Sequence, residues 1–230
     1  MTVFAVAMTV PAQAQQRVVE KTLAAEPGKR VELNLKYGET IVVRGWDRNE
    51  VSFRALVEIN EGRLNDAFIA EFADDSQSLW IDTDFDRAKL REGRSDECPC
   101  PRSATFTWSD KGMICSTIRY EIFMPRGAKL ALETVSADVE LTGLTGPVHA
   151  KSISGFVDLS WPERRGAGVT IKTVTGEAYT DLENIRFTNR RAPMPHVGYE
   201  LRGAIGTGGP AVRLESVSGD LFLRKSGENI

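Results

Sequence analysis

The sequence predicts an all-β, single-domain β-solenoid, and three observations carry that reading. One phrase recurs four times between Leu130 and Lys225, as LALETVSADVEL, VHAKSISGFVDL, VTIKTVTGEAYT and VRLESVSGDLFL. Within each phrase apolar residues alternate with polar ones, the period of a strand and not of a helix. Each phrase also turns at a tiny residue, Ala137, Gly155, Gly176 or Gly219, directly after a hydroxyl residue, Ser136, Ser154, Thr175 or Ser218. A β-sandwich of meandering hairpins is the alternative that the same strands allow.

Aligned on the hydroxyls, the phrases match position by position. Leu130, Val148, Val169 and Val212 share one column, Leu132, Ala150, Ile171 and Leu214 a second, and Val139, Val157, Ala178 and Leu221 a third. A unit of this size cannot bury its apolar face alone, but it can when stacked on like units with strands about 4.8 Å apart. Stacking in chain order predicts ladders. Val135, Ile153 and Val174 would stack inside, Ser136, Ser154 and Thr175 would form a hydroxyl row, and Glu133 would lie beside Lys151. The wider gap before the fourth phrase leaves room for one degenerate rung between Ile185 and Pro210.

The start of the chain, MTVFAVAMTVPAQAQQ, reads as a signal peptide over residues 1–14, a short apolar run closed by the small-x-small pattern Ala12-Gln13-Ala14. The repeat domain is then expected over 15–230. No later run is long enough to span a membrane. Charged residues at 27% place the chain among folded globular proteins, and a net charge of −3 gives no bulk attraction to nucleic acid.

From Arg30 to Ile59 the repeat grammar recurs more loosely: Val31, Leu33 and Leu35 alternate, Tyr37-Gly38-Glu39 makes a corner, and Gly45-Trp46-Asp47 makes another before Val51, Phe53, Ala55 and Val57. Trp46 reads either as a ligand aromatic or as a cover for a sheet edge. FIAEFADDSQSLWIDTDF reads as strand, polar turn at Asp74-Asp75-Ser76, and strand, with a short helix over Leu64–Phe72 as the alternative. Asp74, Asp75, Asp82, Asp84 and Asp86 lack the spacing of a calcium loop and read as a solvated face.

Residues 89–115 break the alternation and read as an irregular insertion loop, where function tends to sit. All three cysteines, Cys98, Cys100 and Cys115, lie here and suggest a disulfide in an exported protein, Cys115 with one of the other two. A zinc site is the alternative, but the Cys-x-Cys spacing is not the usual one. Phe106 and Trp108 make the same loop a candidate ligand-contact site. Ser116–Met124 is a clean strand, Trp161–Gly166 a loop between rungs, and the polar RKSGENI tail a cap on the end of the stack.

Pro27-Gly28 before the first strand, Gly45-Trp46-Asp47, and Ser216-Val217-Ser218-Gly219-Asp220 together resemble the DUF4097 family of bacterial β-strand-repeat proteins. That family is adhesin-like and related to the autotransporter adhesin head (GIN) domain. The resemblance runs from Glu26 to the end. It implies a parallel β-solenoid, right-handed, in an envelope or surface setting, and it brings no catalytic residues. Ala137, Phe156 and the cysteine insertion depart from its pattern.

The expected function is therefore a non-enzymatic, exported protein of the bacterial periplasm or cell surface, adhesin-like or a scaffold. Its partner is an envelope protein or a glycan, and the solenoid ends offer a route to oligomers. No cofactor, metal set or nucleic-acid partner is expected. The alternative is a carbohydrate-active β-helix, polysaccharide-binding or lyase-like, which as an enzyme needs clustered carboxylates and a base. Here Asp138, Asp158, Asp181 and Asp220 sit near corners where turn chemistry accounts for them. The two histidines, His149 and His196, stand in no nucleophile context, with His149 outward on its strand. A third reading is an accessory that binds a partner through an exposed strand edge.

Overall fold

The computed structural model describes residues 16–26, 28–92, 105–109, 112–189 and 198–227, with 105–113 as backbone alone. Alternating sequence becomes alternating burial throughout. In Lys129–Thr142 the side chains of Leu130, Leu132, Val139 and Leu141 are buried while Lys129, Glu133 and Glu140 face water.

In chain order the strands are β1 Arg17–Ala24, β2 Arg30–Leu35, β3 Tyr37–Trp46, β4 Glu50–Ile59, β5 Phe68–Asp74, β6 Ser78–Phe85, β7 Thr105–Ser109, β8 Gly112–Pro125 and β9 Lys129–Thr142. There follow β10 Val148–Ser154, β11 Val157–Trp161, β12 Ala167–Thr173, β13 Ala178–Thr180, β14 Ile185–Phe187, β15 Tyr199–Ile205, β16 Ala211–Ser218 and β17 Leu221–Lys225. Among the described residues helix is confined to a 3-10 turn at Asn65–Ala67 and one turn at Arg87–Leu90, capped by Asp86.

The strands belong to one large mixed sheet that β9 bends into two ladders. The first runs β5-β6-β2-β9-β10-β16-β12-β15-β14, parallel from β6 to β12 and antiparallel at each end. The second runs β1-β4-β8-β3-β9-β11-β17-β13, antiparallel over β1, β4 and β8 and parallel beyond. The columns aligned in the sequence are columns in space. Leu130, Val148, Val212 and Val169 stand level, as do Leu132, Ala150, Leu214 and Ile171.

The order of the rungs differs from the order of the chain. The last phrase, β16–β17, lies between β10–β11 and β12–β13, and at the other end β2–β3 lies between β9 and the pair β6 and β8. Because the phrases are alike, register does not distinguish one neighbour from another. β15 lies antiparallel along one edge of β12, which leaves β16 the other. The stretch Ile185–Pro210 is thus an antiparallel pair, β14 with β15, and not a degenerate rung. β17 is likewise interior to its ladder, paired on both sides, and takes in Arg224 and Lys225 of the RKSGENI tail, whose residues 228–230 lie outside the described residues.

The corner also inverts one expectation. Val135, Ile153 and Val217 point outward with 36%, 45% and 42% of their surface exposed, while Thr134, Ser152, Thr173 and Ser216 are buried. Period two carried on from Leu132 puts Thr134 inside. The reason a hydroxyl suits that place is that the chain turns there and its backbone groups need partners. Ser152 Oγ donates to the Ser154 carbonyl at 2.9 Å, and Thr173 Oγ1 accepts from the Gly176 amide at 3.0 Å. Of the expected hydroxyl row, Ser136 and Ser154 do stand level outside it, but the next member is Ser218 and not Thr175. The small residue after the hydroxyl is a packing requirement, since a Cβ on Gly176 would lie 1.9 Å from the Gly219 carbonyl oxygen of the next rung.

The stretch expected to be irregular over 89–115 is regular where it is described. β7 and the start of β8 form an antiparallel hairpin, so the strand begins at Gly112 and already contains Cys115. Cys98 and Cys100 lie outside the described residues.

Candidate functional site

A groove of about 730 Å³ lies at the beginnings of the first-ladder strands. Parallel strands that start level bring segments far apart in the chain to one place: Lys29 and Arg30 leading into β2, Gln77 and Ser78 at β6, Lys129 at β9, His149 on β10 and Arg213 on β16. Outward positions alternate with core positions, so Arg30 stands level with Lys129 and His149 with Arg213.

The lining is basic, with Glu26 as its acid. Each cation but one has a partner, and the geometry of the pairs matters. Arg213 Nε donates to Glu215 Oε1, and His149 Nε2 lies 2.8 Å from the same oxygen. The Arg213 hydrogen bond, helped by that to His149 and opposed by burial, holds the Glu215 carboxyl down at about 2. Glu215 is recessed, with 16% of its side chain exposed, while Arg213 and His149 show 42% and 39%. Arg30 likewise stands further out than Glu32, to which it bonds at 3.4 Å. Lys29 is the opposite case, tucked beneath Asp74. Lys129 is exposed and enters no ion pair among the described residues. What a ligand meets in the groove is therefore mainly cation, with carboxylates lying behind.

The acidic stretch of β5 and β6 is absorbed in local bonding. Asp74 pairs with Lys29 and Asp84 with Lys36, Asp82 accepts from Asn34, Asp75 accepts from the amides of Gln77 and Ser78, and Asp86 caps Arg87–Leu90. Among the described residues no group of three or more His, Cys, Asp or Glu is placed to hold a metal ion. The corner carboxylates differ from the turn chemistry expected of them, since their bonds run to residues of other rungs and not within their own turns. Asp138 accepts from the Phe156 amide, Asp220 from the Glu177 amide and Asp181 from the Lys225 amide, while Asp158 pairs with Arg224 at 2.7 Å.

Of the residues singled out in the sequence, the backbone sets Phe106 opposite Cys115 and Trp108 opposite Met113 in the β7–β8 hairpin. Cys115 is buried, its amide bonded to Asn60 Oδ1. Trp46 is a cover: its ring stacks on Phe123 at 5.2 Å, Arg48 lies over it at 4.9 Å, and its Nε1 donates to the Glu50 carbonyl. Glu133 lies 4.0 Å from Lys151, as the alignment requires.

The sequence matches no family model and no curated protein. The fold, however, has a solved counterpart. It is similar to the crystal structure of a "putative cell adhesion protein" from Clostridium sporogenes ATCC 15579, with a TM-score of 0.50 and 12% identity, over 91% of this chain and 100% of that one. Two structures each described as a "putative adhesin" align more loosely at 8% identity. That from Bacteroides fragilis NCTC 9343 scores 0.25 over 94% of this chain and 100% of its own, and that from Parabacteroides merdae ATCC 43184 scores 0.26 over 92% and 97%. At these identities the likeness concerns fold, and the fold question rests on the first.

The groove residues Arg30, Lys129, His149 and Arg213 were not singled out as a site in the sequence. Their signal was present, since His149 and Arg213 occupy the same outward column of two aligned phrases, but they meet only once β16 is placed beside β10.

Proposed function

We propose that this protein is a non-enzymatic, exported module of the bacterial envelope, adhesin-like, that binds its partner on the outer face of the first ladder. The observation that carries the reading is the groove at the strand beginnings, a surface assembled from several rungs and lined by outward cations. The non-enzymatic part is supported by the state of the carboxylates. Glu215 is tied to Arg213 and His149, and Asp138, Asp181 and Asp220 each accept a backbone amide, so the packing of the rungs accounts for these carboxylates without a catalytic role. Export is supported by the apolar start of the sequence with its Ala-Gln-Ala site. No helix among the described residues is long and apolar enough to cross a membrane.

The solenoid, as against the sandwich, and the kinship to the DUF4097 proteins belong to the same proposal. They are supported by the run of parallel pairings from β6 to β12 and by the likeness in fold to the Clostridium sporogenes structure. A disulfide from Cys115 to Cys98 or Cys100 would clip the β7–β8 hairpin to the segment before it.

Incubating the labelled protein with bacterial envelope fractions and with a glycan array tests the function. Saturable retention with no change in the mass of any bound glycan is expected. Product formation would turn the reading to the carbohydrate-active alternative, and a protein that binds neither envelope nor glycan is no adhesin.

A further inference from the structure

Resting on that reading, we propose that the groove takes an acidic polysaccharide, a chain of carboxylate- or sulfate-bearing sugars laid across the strands. Three features of the groove point to this ligand. Its cations form a line along the stack and not a single cluster. Arg30 on β2 and Lys129 on β9 stand level, and Arg213 on β16 stands level with His149 on β10, a cation only when protonated, two positions further along, so the basic groups occupy four successive strands across three spacings, about 14 Å. A small anion would touch one or two of these groups, whereas a chain with a charge on each unit meets them in turn.

The second feature is the direction in which the charges face. The Arg30, His149 and Arg213 side chains stand outside the carboxylates that hold them, and Lys129 has none. Glu215 therefore positions two of these cations without competing for the ligand's face. Arginine held by one edge keeps its remaining N–H donors for a second carboxylate or sulfate.

The third feature separates a sugar chain from other polyanions. Further along the same strands come Asn34, Glu133 and Lys151, a row of acceptors and donors, and the carboxylates that face a ligand are the exposed Glu133 and the lining Glu26. Hydroxyls pair with such a row. A nucleic acid, with phosphate on both flanks, would meet those carboxylates as like charges.

Calorimetric titration of the full protein with an oligogalacturonide, a chondroitin-sulfate oligosaccharide, cellohexaose, polyphosphate and single-stranded DNA tests the proposal. The galacturonide arm isolates carboxylate and the chondroitin arm adds sulfate. At least one acidic oligosaccharide binds, cellohexaose does not, and added salt weakens the binding. Lys129→Glu combined with Arg30→Glu lowers the affinity by about tenfold or more. Lys21→Glu, on β1 in the other ladder, leaves it unchanged, and all variants melt like the parent.

Failure of every acidic oligosaccharide to bind overturns the proposal, as does binding indifferent to the double reversal, or polyphosphate or DNA bound as tightly as the sugars. Should envelope fractions still retain the protein in any of these cases, the adhesin-like reading stands and only the ligand class falls.

Discussion

Asn60 and Cys115 hold each other through two hydrogen bonds. The Asn60 amide donates to the Cys115 carbonyl at 2.9 Å, and Asn60 Oδ1 accepts from the Cys115 amide at 3.1 Å. A side chain thus completes a ladder that the backbone leaves, because at Asn60 the chain enters a left-handed turn, with φ of 46° there, 56° at Glu61 and 90° at Gly62. Asparagine suits both demands. Asn60→Ala loses the acceptor and forces an alanine into positive φ, and should cost about 1–3 kcal/mol in urea unfolding. Asn60→Gly keeps the turn and loses only the bond, so it should cost less. Equal costs for the two would mean that the turn conformation contributes nothing.

The glycines of the rung corners are predicted to be irreplaceable, and those in open space are not. An added Cβ at Gly176 would overlap the Gly219 oxygen at 1.9 Å, whereas at Gly168 nothing lies within 4 Å. Gly176→Ala should lower stability by about 1–3 kcal/mol through overpacking, with Gly168→Ala near neutral. Thermal midpoints of the two variants side by side decide this, and an unchanged Gly176→Ala would show that the rungs separate easily at the corner.

Removing the last rung should unfold the protein. Val212, Leu214, Leu221 and Leu223 are buried, each contributing about 1.5–3 kcal/mol, and together they rival the stability of a typical domain. A chain ending at Pro210 is expected to lose its cooperative melt, since β10 and β12 would face an empty slot. Deleting residues 17–24 strips only an edge strand and should leave a melting transition. Far-ultraviolet circular dichroism on both truncations is the check, and a cooperative melt in the first would refute the interior placement of β16–β17.

Acid should weaken the groove before it weakens a variant lacking Glu215. The folded Glu215 carboxyl sits at about 2, below its ordinary 4.5. A depressed carboxyl stabilises the fold at pH above about 4.5, and that contribution fades as the pH falls towards 2. Glu215→Gln should therefore be less stable than the parent at neutral pH and converge with it near pH 2. Parallel stability curves across that window would mean that the Arg213–Glu215 pair contributes nothing to folding.

Much of the strand content was legible because alternation is local. Leu130, Leu132, Val139 and Leu141 declare a buried face without reference to any other part of the chain, and the columns they predict are the columns found. Three things were not legible. Which face of the corner is buried is hidden because Val135, Ile153 and Val217 are aliphatic and their hydrophobicity argues against the period, while the hydroxyls that bond the turning backbone in their place, Ser152 and Thr173, do so only once the corner is formed. The order of rungs is hidden because phrases alike enough to be recognised are alike enough to exchange places. The groove is hidden for the same cause: Arg30 and Lys129 are ninety-nine positions apart in the chain and level in the sheet.

The intercalated last rung sets a clock on assembly. A polypeptide is made from its amino end. Until Ala211 and the residues after it have emerged, the space between β10 and β12 has nothing to fill it. The segments made earlier must wait with their edges open and their apolar columns half covered, whatever time they are given. Completion waits on residues 211–225, so a nascent chain interrupted or clipped before them would leave two exposed strand edges in place of a shorter working version.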